Sequence, residues 1–289
     1  IRKYIDWTFF FIAWEIRGSF PKILNDPVKG EAARELFENA NSLLDKIIEK
    51  KLLKANVAYG FWPANSEKDD IILYKNKKRA DELVRFNMLR QQKIRGGGTL
   101  SLSDFIAPKA TGIGDYIGAF VVTTGINAEE LVKRYEKDND DYNAIMVKAI
   151  ADRLAEAFAE LMHQKVRKEW GFPDKKNITN QELAKENYRG IRPAFGYPAC
   201  PTHSEKTKLF EILDAEKIGI TRVCGFNSNN LFEALNWAKN KIRKKKWIKR
   251  PYGNGNSAKK IAKIFIFFFY FFSIVSNYLK HVHCFTFYL

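Results

Sequence analysis

An α+β fold is what this sequence predicts, from two long stretches of helical periodicity, a few short β-prone runs, and no strict alternation between the two. Residues 31–51 carry Ala33, Leu36, Phe37, Ala40, Leu43, Leu44, Ile47 and Ile48 at helical spacing, which makes one buried stripe. Residues 141–170 repeat the pattern with Ile145, Ala149, Ile150, Leu154, Ala157, Phe158, Leu161 and Val166. Residues 206–217 predict a shorter helix. Runs 57–62 and 71–74 predict strands, separated by Pro63, Asn65 and acidic turn residues. Residues 116–124 form a further apolar strand candidate, entered through the turn Gly112-Ile113-Gly114. Asp6 stands where an N-cap belongs, ahead of the apolar run 9–14.

The chain has 289 residues, 46% hydrophobic and 28% charged, enough for one large domain or two small ones. It starts at Ile1 rather than Met, and the expectation is a fragment of a longer protein. Its net charge of +16 is unevenly placed: residues from Arg222 onward hold 13 of the 49 Lys and Arg but one of the 33 Asp and Glu. The body is therefore nearly balanced, and a whole-protein field for nucleic acid is not encoded. Three segments follow: 1–221, the folded body; 222–263, a basic Asn/Lys-rich stretch ending in the linker-like 251–257; and 264–289, an aromatic hydrophobic tail. The tail shows neither helical amphipathicity nor strand alternation.

Cys200, Cys224 and Cys284 are odd in number and widely spaced. That speaks against a disulfide framework or a cysteine zinc site and suits a reducing cytoplasm. Gly96-Gly97-Gly98 has no Lys-Ser/Thr after it and reads as a surface turn. Asp152, Glu156, Glu160 and His163 share a helical face, a stripe read as solvated rather than as a metal site. No catalytic set of nucleophile and base can be assembled, so chemistry here would come from a bound cosubstrate.

The loop 192–201 is the most informative stretch. Pro193, Pro198 and Pro201 fix φ, while Gly196 admits a left-handed turn, so the loop is rigid before any ligand arrives. Arg192 at its start could grip a carboxylate with two parallel N–H donors. A rigid connector with Arg192 in an internal ion pair is the other reading of the same residues.

Three stretches carry a resemblance to a known family: Asp6-Trp7-Thr8-Phe9-Phe10-Phe11; residues 141–160, with Ala151-Asp152-Arg153-Leu154-Ala155-Glu156-Ala157-Phe158; and Glu186-Asn187-Tyr188-Arg189-Gly190-Ile191-Arg192-Pro193-Ala194-Phe195-Gly196-Tyr197-Pro198-Ala199-Cys200-Pro201. Together they resemble the C-terminal activation domain of cobalamin-dependent methionine synthase, from residue 1 to about 221. Phe9 and Phe195 each stand where the family has Pro. The resemblance implies a mixed, mainly antiparallel sheet with flanking helices, and a site for S-adenosylmethionine. Asp6 would hold the amino group and Arg192 the carboxylate. Tyr197 and Ala199 would line the adenosyl group, and Glu156 and Glu186 would lie near the sulfonium and the cobalamin-facing cleft. Taken alone, Glu156 and Glu186 also read as ordinary surface glutamates.

The resemblance further implies partners. These are the cobalamin-binding domain of the same enzyme and a flavodoxin-like reductase or methionine synthase reductase. Cobalamin and zinc belong to the full-length enzyme; no Asp-x-His-x-x-Gly motif or zinc cysteine set occurs in this chain. The fragment is thus expected to bind S-adenosylmethionine and to be catalytically incomplete. The family's late aromatic Tyr-Phe pair and Ser-Gly-Trp-Tyr-Phe strand have no match after Thr221. An alternative reading is a non-catalytic remnant held on a membrane by residues 264–279. As a helix they would reach roughly 24 Å, short of a bilayer core of about 30 Å.

Overall fold

The computed structural model describes residues 1–92, 98–175 and 178–220, the last stretch without the side chains of residues 181 and 184, and residues 282–287 as backbone. Contacts group residues 1–222 with 281–289 as one unit and residues 223–280 as another. The expected linker 251–257, the basic run, the aromatic segment 264–279 and Gly96-Gly97 lie outside the described residues.

Helix α1 (Trp7–Ala13) starts at Asp6, whose carboxylate accepts a hydrogen bond from the Thr8 amide at 2.9 Å. That satisfies one of the donors a helix start leaves open. Helix α2 (Gly30–Glu49) buries Ala33, Leu36, Ala40, Leu43, Leu44 and Ile47, the predicted stripe. Helix α3 (Ala128–Lys137) leads into α4 (Asp141–Glu169), capped by Asp140 at 3.0 Å from the Asn143 amide. The expectation that Ile48 and Ile145 belong to the buried stripes fails: both are about half exposed. Each points off the buried face, since its chain neighbours Ile47, Ala144 and Met146 are buried.

The sheet is antiparallel and runs β3-β2-β1-β4-β5. Its strands are β1 (Lys54–Glu67), β2 (Asp70–Tyr74), β3 (Glu82–Asn87), β4 (Asp115–Ile126) and β5 (Val282–Phe287). Pro63 and Asn65 were expected to end the first strand, yet β1 continues through both. Pro63 pairs opposite Tyr116 of β4 and lies one residue before the β2 ladder begins at Ala64. Its missing amide proton costs the β2 side nothing. The buried Asn65 amide donates to the carbonyls of Ala107 (3.0 Å) and Ile113 (2.7 Å), so it holds the neighbouring loop instead of making a turn.

β4 is buried along its central eight residues because both faces are covered. Phe120 and Val122 pack with Phe158, Met162 and Val166 of α4, while Ile117, Ala119 and Val121 point into a second cluster. That cluster contains Phe86, Phe195, Cys200, Leu209 and Phe210. Each of the Phe, Leu, Ile, Val and Met side chains among these contributes roughly 1.5–3 kcal/mol when fully buried. Thr124 of β4 also donates to the Ala151 carbonyl of α4 at 2.8 Å. This first unit thus layers helices, sheet and the 191–220 segment against one another.

Two further expectations are corrected. The helix predicted over 206–217 is α6 (Lys206–Ile212) followed by a short 3-10 turn, 215–218. Asp214 between them adopts a left-handed backbone, φ 49°, which no helix can pass through. The tail, expected to lack strand character, supplies β5, paired with β4 from Gly118↔Phe287 to Thr123↔Val282. Val, Phe and Thr are strong β formers, and the outer edge of β4 offers unpaired backbone groups to them. Among the described residues, no helix is long and apolar enough to cross a membrane.

Candidate functional site

The C-terminal half of α4 presents Glu160, His163, Gln164 and Arg167 toward the chain that follows it. Gly171, at φ +96°, takes the left-handed turn after the helix, and the Phe172 amide closes onto the Arg167 carbonyl at 2.9 Å. The reversal brings Asp174 back onto Arg167 in a two-point pair at 3.0 and 2.7 Å. The Arg167 and Asp174 side chains are 0% and 5% exposed. The Gln164 amide adds a third contact to Asp174 at 3.2 Å.

Helix α5 (Asn180–Ala184) then leads to Tyr188, whose ring lies 4.3 Å under the Arg167 guanidinium and 4.7 Å edge-on to His163. Arg189 stacks on Phe172 at 3.9 Å. Pinned at these two points, the chain delivers Arg192 to Glu160, with an Nη2–Oε2 separation of 2.9 Å and side chains 12% and 13% exposed. The four-residue stripe expected to be solvated is covered only toward its C-terminal end, while Asp152 and Glu156 stay partly exposed. His163 is fully buried, Glu160 pairs with Arg192, and Asp152 pairs with Arg153. The physical reason is that the 186–192 segment folds over this face of α4. Among the described residues, no group of three or more His, Cys, Asp or Glu could hold a metal ion.

Burial, with the Arg167 and Arg192 charges beside it, pushes the His163 imidazole down to about 2. It stays neutral, so each arginine faces a carboxylate and no third cation joins them. Burial pushes the Tyr188 phenol up to about 12, with Arg192, Glu160, Glu186 and Arg167 among the charges it feels.

Beyond Arg192 the loop closes on itself. The Tyr197 amide donates to the Ala194 carbonyl (3.1 Å), the Cys200 amide to Tyr197 (3.0 Å) and the Gly196 amide to Cys200 (2.9 Å). The Cys200 thiol, pushed up to about 11 by burial, donates to the Ala194 carbonyl at 3.0 Å. Gly196 has φ +103°, and a Cβ there would stand 2.2 Å from the His203 ring, so only glycine fits. The Ala199 carbonyl accepts from Leu102, fastening the loop to the 102–105 turn at 2.8 Å. Tyr197 projects from the tip, 62% exposed.

Of the sequence-predicted residues, Arg192 and Glu186 both carry charge felt by the Tyr188 phenol, and Tyr197 and Ala199 share the closed loop. Glu156 lies half-buried on α4, one turn before Glu160, and Glu186 is exposed, at φ 57°. Asp6 lies on another element, as the cap of α1. That helix meets α4 where Arg153 sits 5.8 Å from the Phe9 ring. The two family departures are accommodated differently: Phe9 is exposed, while Phe195 is buried and stacked on Phe86 at 6.3 Å. Sequence reading missed Tyr188 and the Arg167–Asp174 pair. It named Glu160 without its partner. Tyr188 lay inside the quoted motif, but nothing in the motif says which ring supports which charge.

These features define an α+β domain with a proline-braced loop seated on one long helix. It is similar to the crystal structure of the MetH reactivation domain bound to AdoHcy, with 49% sequence identity and a TM-score of 0.71, covering 74% of this chain and 66% of that one. The chain therefore spans just under two thirds of that relative's length. It belongs to the family of vitamin B12 dependent methionine synthase activation domains, whose pattern matches residues 1–224.

Proposed function

We propose that this chain binds S-adenosylmethionine on the 192–201 loop and serves as the activation module of a cobalamin-dependent methionine synthase. The observation that carries the reading is the loop itself: closed by its own hydrogen bonds, fastened to the 102–105 turn, and opened by a well-held arginine. A site already ordered loses little entropy on binding. The relative bound to AdoHcy supports the ligand class.

In this reading the ligand's amino-acid end meets Arg192 through its carboxylate and Asp6 through its ammonium. A zwitterion requires one cation and one anion, and these residues provide them. Tyr197 and the backbone at Ala199 receive the adenosyl group. Glu156 and Glu186 place negative charge near the sulfonium, where Coulomb attraction favours it. When bound, S-adenosylmethionine supplies the methyl group that restores oxidised cobalamin, with an electron from a flavodoxin-like reductase. The chain's own contribution is to bind and orient the cosubstrate and to present it to the cobalamin-binding domain. The parent enzyme's reaction, methyl transfer from 5-methyltetrahydrofolate to homocysteine, needs domains beyond this one.

Titration calorimetry with S-adenosylmethionine and S-adenosylhomocysteine tests the reading. Saturable one-site binding of both is expected, weakened more by Arg192→Lys than by Glu186→Gln. Absence of binding by either ligand would overturn it.

A further inference from the structure

Resting on that reading of Arg192, we propose that Glu160 is the residue that positions the Arg192 guanidinium for the ligand's carboxylate. Arg192 lies at the mouth of a loop, where a long, rotamer-rich side chain would otherwise sample many orientations. Glu160 comes from the C-terminal half of α4, so its Cα is held by the helix and its carboxylate meets Nη2 at 2.9 Å. Its other oxygen, Oε1, is buried and makes no hydrogen bond among the described residues. Its contact with Arg192 is thus the polar contact that justifies burying this carboxylate.

The surroundings tighten the arrangement. Tyr188 and His163 meet edge to face, and the neutral imidazole occupies the turn of α4 between Glu160 and Arg167. Arg167 is claimed by Asp174, which leaves Glu160 to Arg192 without a competing cation from that side. Glu160 lies outside the adenosyl-lining set and acts through Arg192. Its effect should be confined to ligands that carry the carboxylate.

The experiment compares S-adenosylmethionine with 5′-methylthioadenosine, which keeps the adenosyl group and lacks the amino-acid end. Calorimetry is run on the full chain, on Glu160→Gln, on Arg192→Lys and on the double variant. Glu160→Gln should bind S-adenosylmethionine about tenfold more weakly and methylthioadenosine nearly unchanged. In the Arg192→Lys background, the Glu160 substitution should add little, since coupled residues are not additive. Equal weakening for both ligands would make Glu160 merely structural and overturn the proposal. Tighter S-adenosylmethionine binding by Glu160→Gln would show that Glu160 competes with the ligand for Arg192, and would also overturn it. If Arg192→Lys binds S-adenosylmethionine as well as the parent does, the underlying reading of Arg192 fails, and the proposal with it. Unchanged binding by Glu160→Gln beside a weakened Arg192→Lys sinks the positioning role alone. Should Glu160→Gln not fold, Glu160→Asp, which retains the charge on a shorter stem, gives the same ligand comparison with a smaller loss expected.

Discussion

Two arginine–carboxylate pairs lie on one face of α4, and they are built differently. Arg167 and Asp174 are almost wholly buried, joined at two points and braced by Gln164 and the Tyr188 ring. Arg192 and Glu160 form an ion pair at 2.9 Å and keep about an eighth of their surface exposed. The first pair ties the chain after α4 to the helix and has no reason to change. The second lies beside a loop with a protruding Tyr197, the loop that the proposed function assigns to the ligand. The lesson is that a buried pair joined at two points serves as architecture, whereas the pair beside the loop is, in the function proposed above, positioned to meet a ligand.

The largest expected effect breaks the first pair. Asp174→Ala strands Arg167 inside the protein and should cost about 3–5 kcal/mol in urea unfolding. Little loss would mean that water or another acceptor replaces Asp174, and the contrast between the pairs would collapse. Arg192→Lys, by contrast, should cost about 1.5–3 kcal/mol in S-adenosylmethionine binding, because the planar fork is lost while the charge remains. Its unfolding free energy should fall by less than that of Asp174→Ala, because the lysine keeps a positive charge facing Glu160. A large stability loss instead would make this pair architectural too.

Next is pH. His163 has a folded pKa far below its unfolded value, so below about pH 6.5 the unfolded chain takes up a proton that the native one refuses. Stability should therefore fall as the pH drops from 7 to 5, by roughly 2 kcal/mol from this group. His203, also lowered by burial and Lys206, adds in the same direction. The His163→Gln variant isolates the first contribution: its unfolding free energy should lose much of this slope. A slope unchanged by the substitution would place the acid sensitivity elsewhere.

The smallest effect concerns a family departure. Phe9 lies in the first turn of α1 and is 56% exposed. Phe9→Pro, the family's residue, should change stability by no more than about 0.5 kcal/mol, since first-turn amides have no partner inside the helix. A larger loss, read by thermal unfolding, would show that the Arg153–Phe9 contact holds α1 to α4.

Much of the fold was legible because periodicity names the buried face of a long helix. The stripes of α2 and α4 and the Asp6 cap followed from spacing and side-chain chemistry. The loop's rigidity followed from Pro193, Pro198, Pro201 and Gly196. Pro63 misled because proline forbids a strand only where its missing proton is needed, and that depends on which strand lies alongside. The tail misled because β5 draws its partner from β4, more than 150 residues earlier.

By itself, then, the sequence determined the α+β class, the family, the helix faces and a braced loop opened by Arg192. These depend on residues near one another in the chain, whose geometry is set by local backbone rules. Only the tertiary structure decided that Glu160 answers Arg192, that Asp174 answers Arg167, and that a neutral His163 sits between the two pairs. Periodicity says which side of α4 is turned inward, but the charge it meets there depends on the path of the loops that return across it.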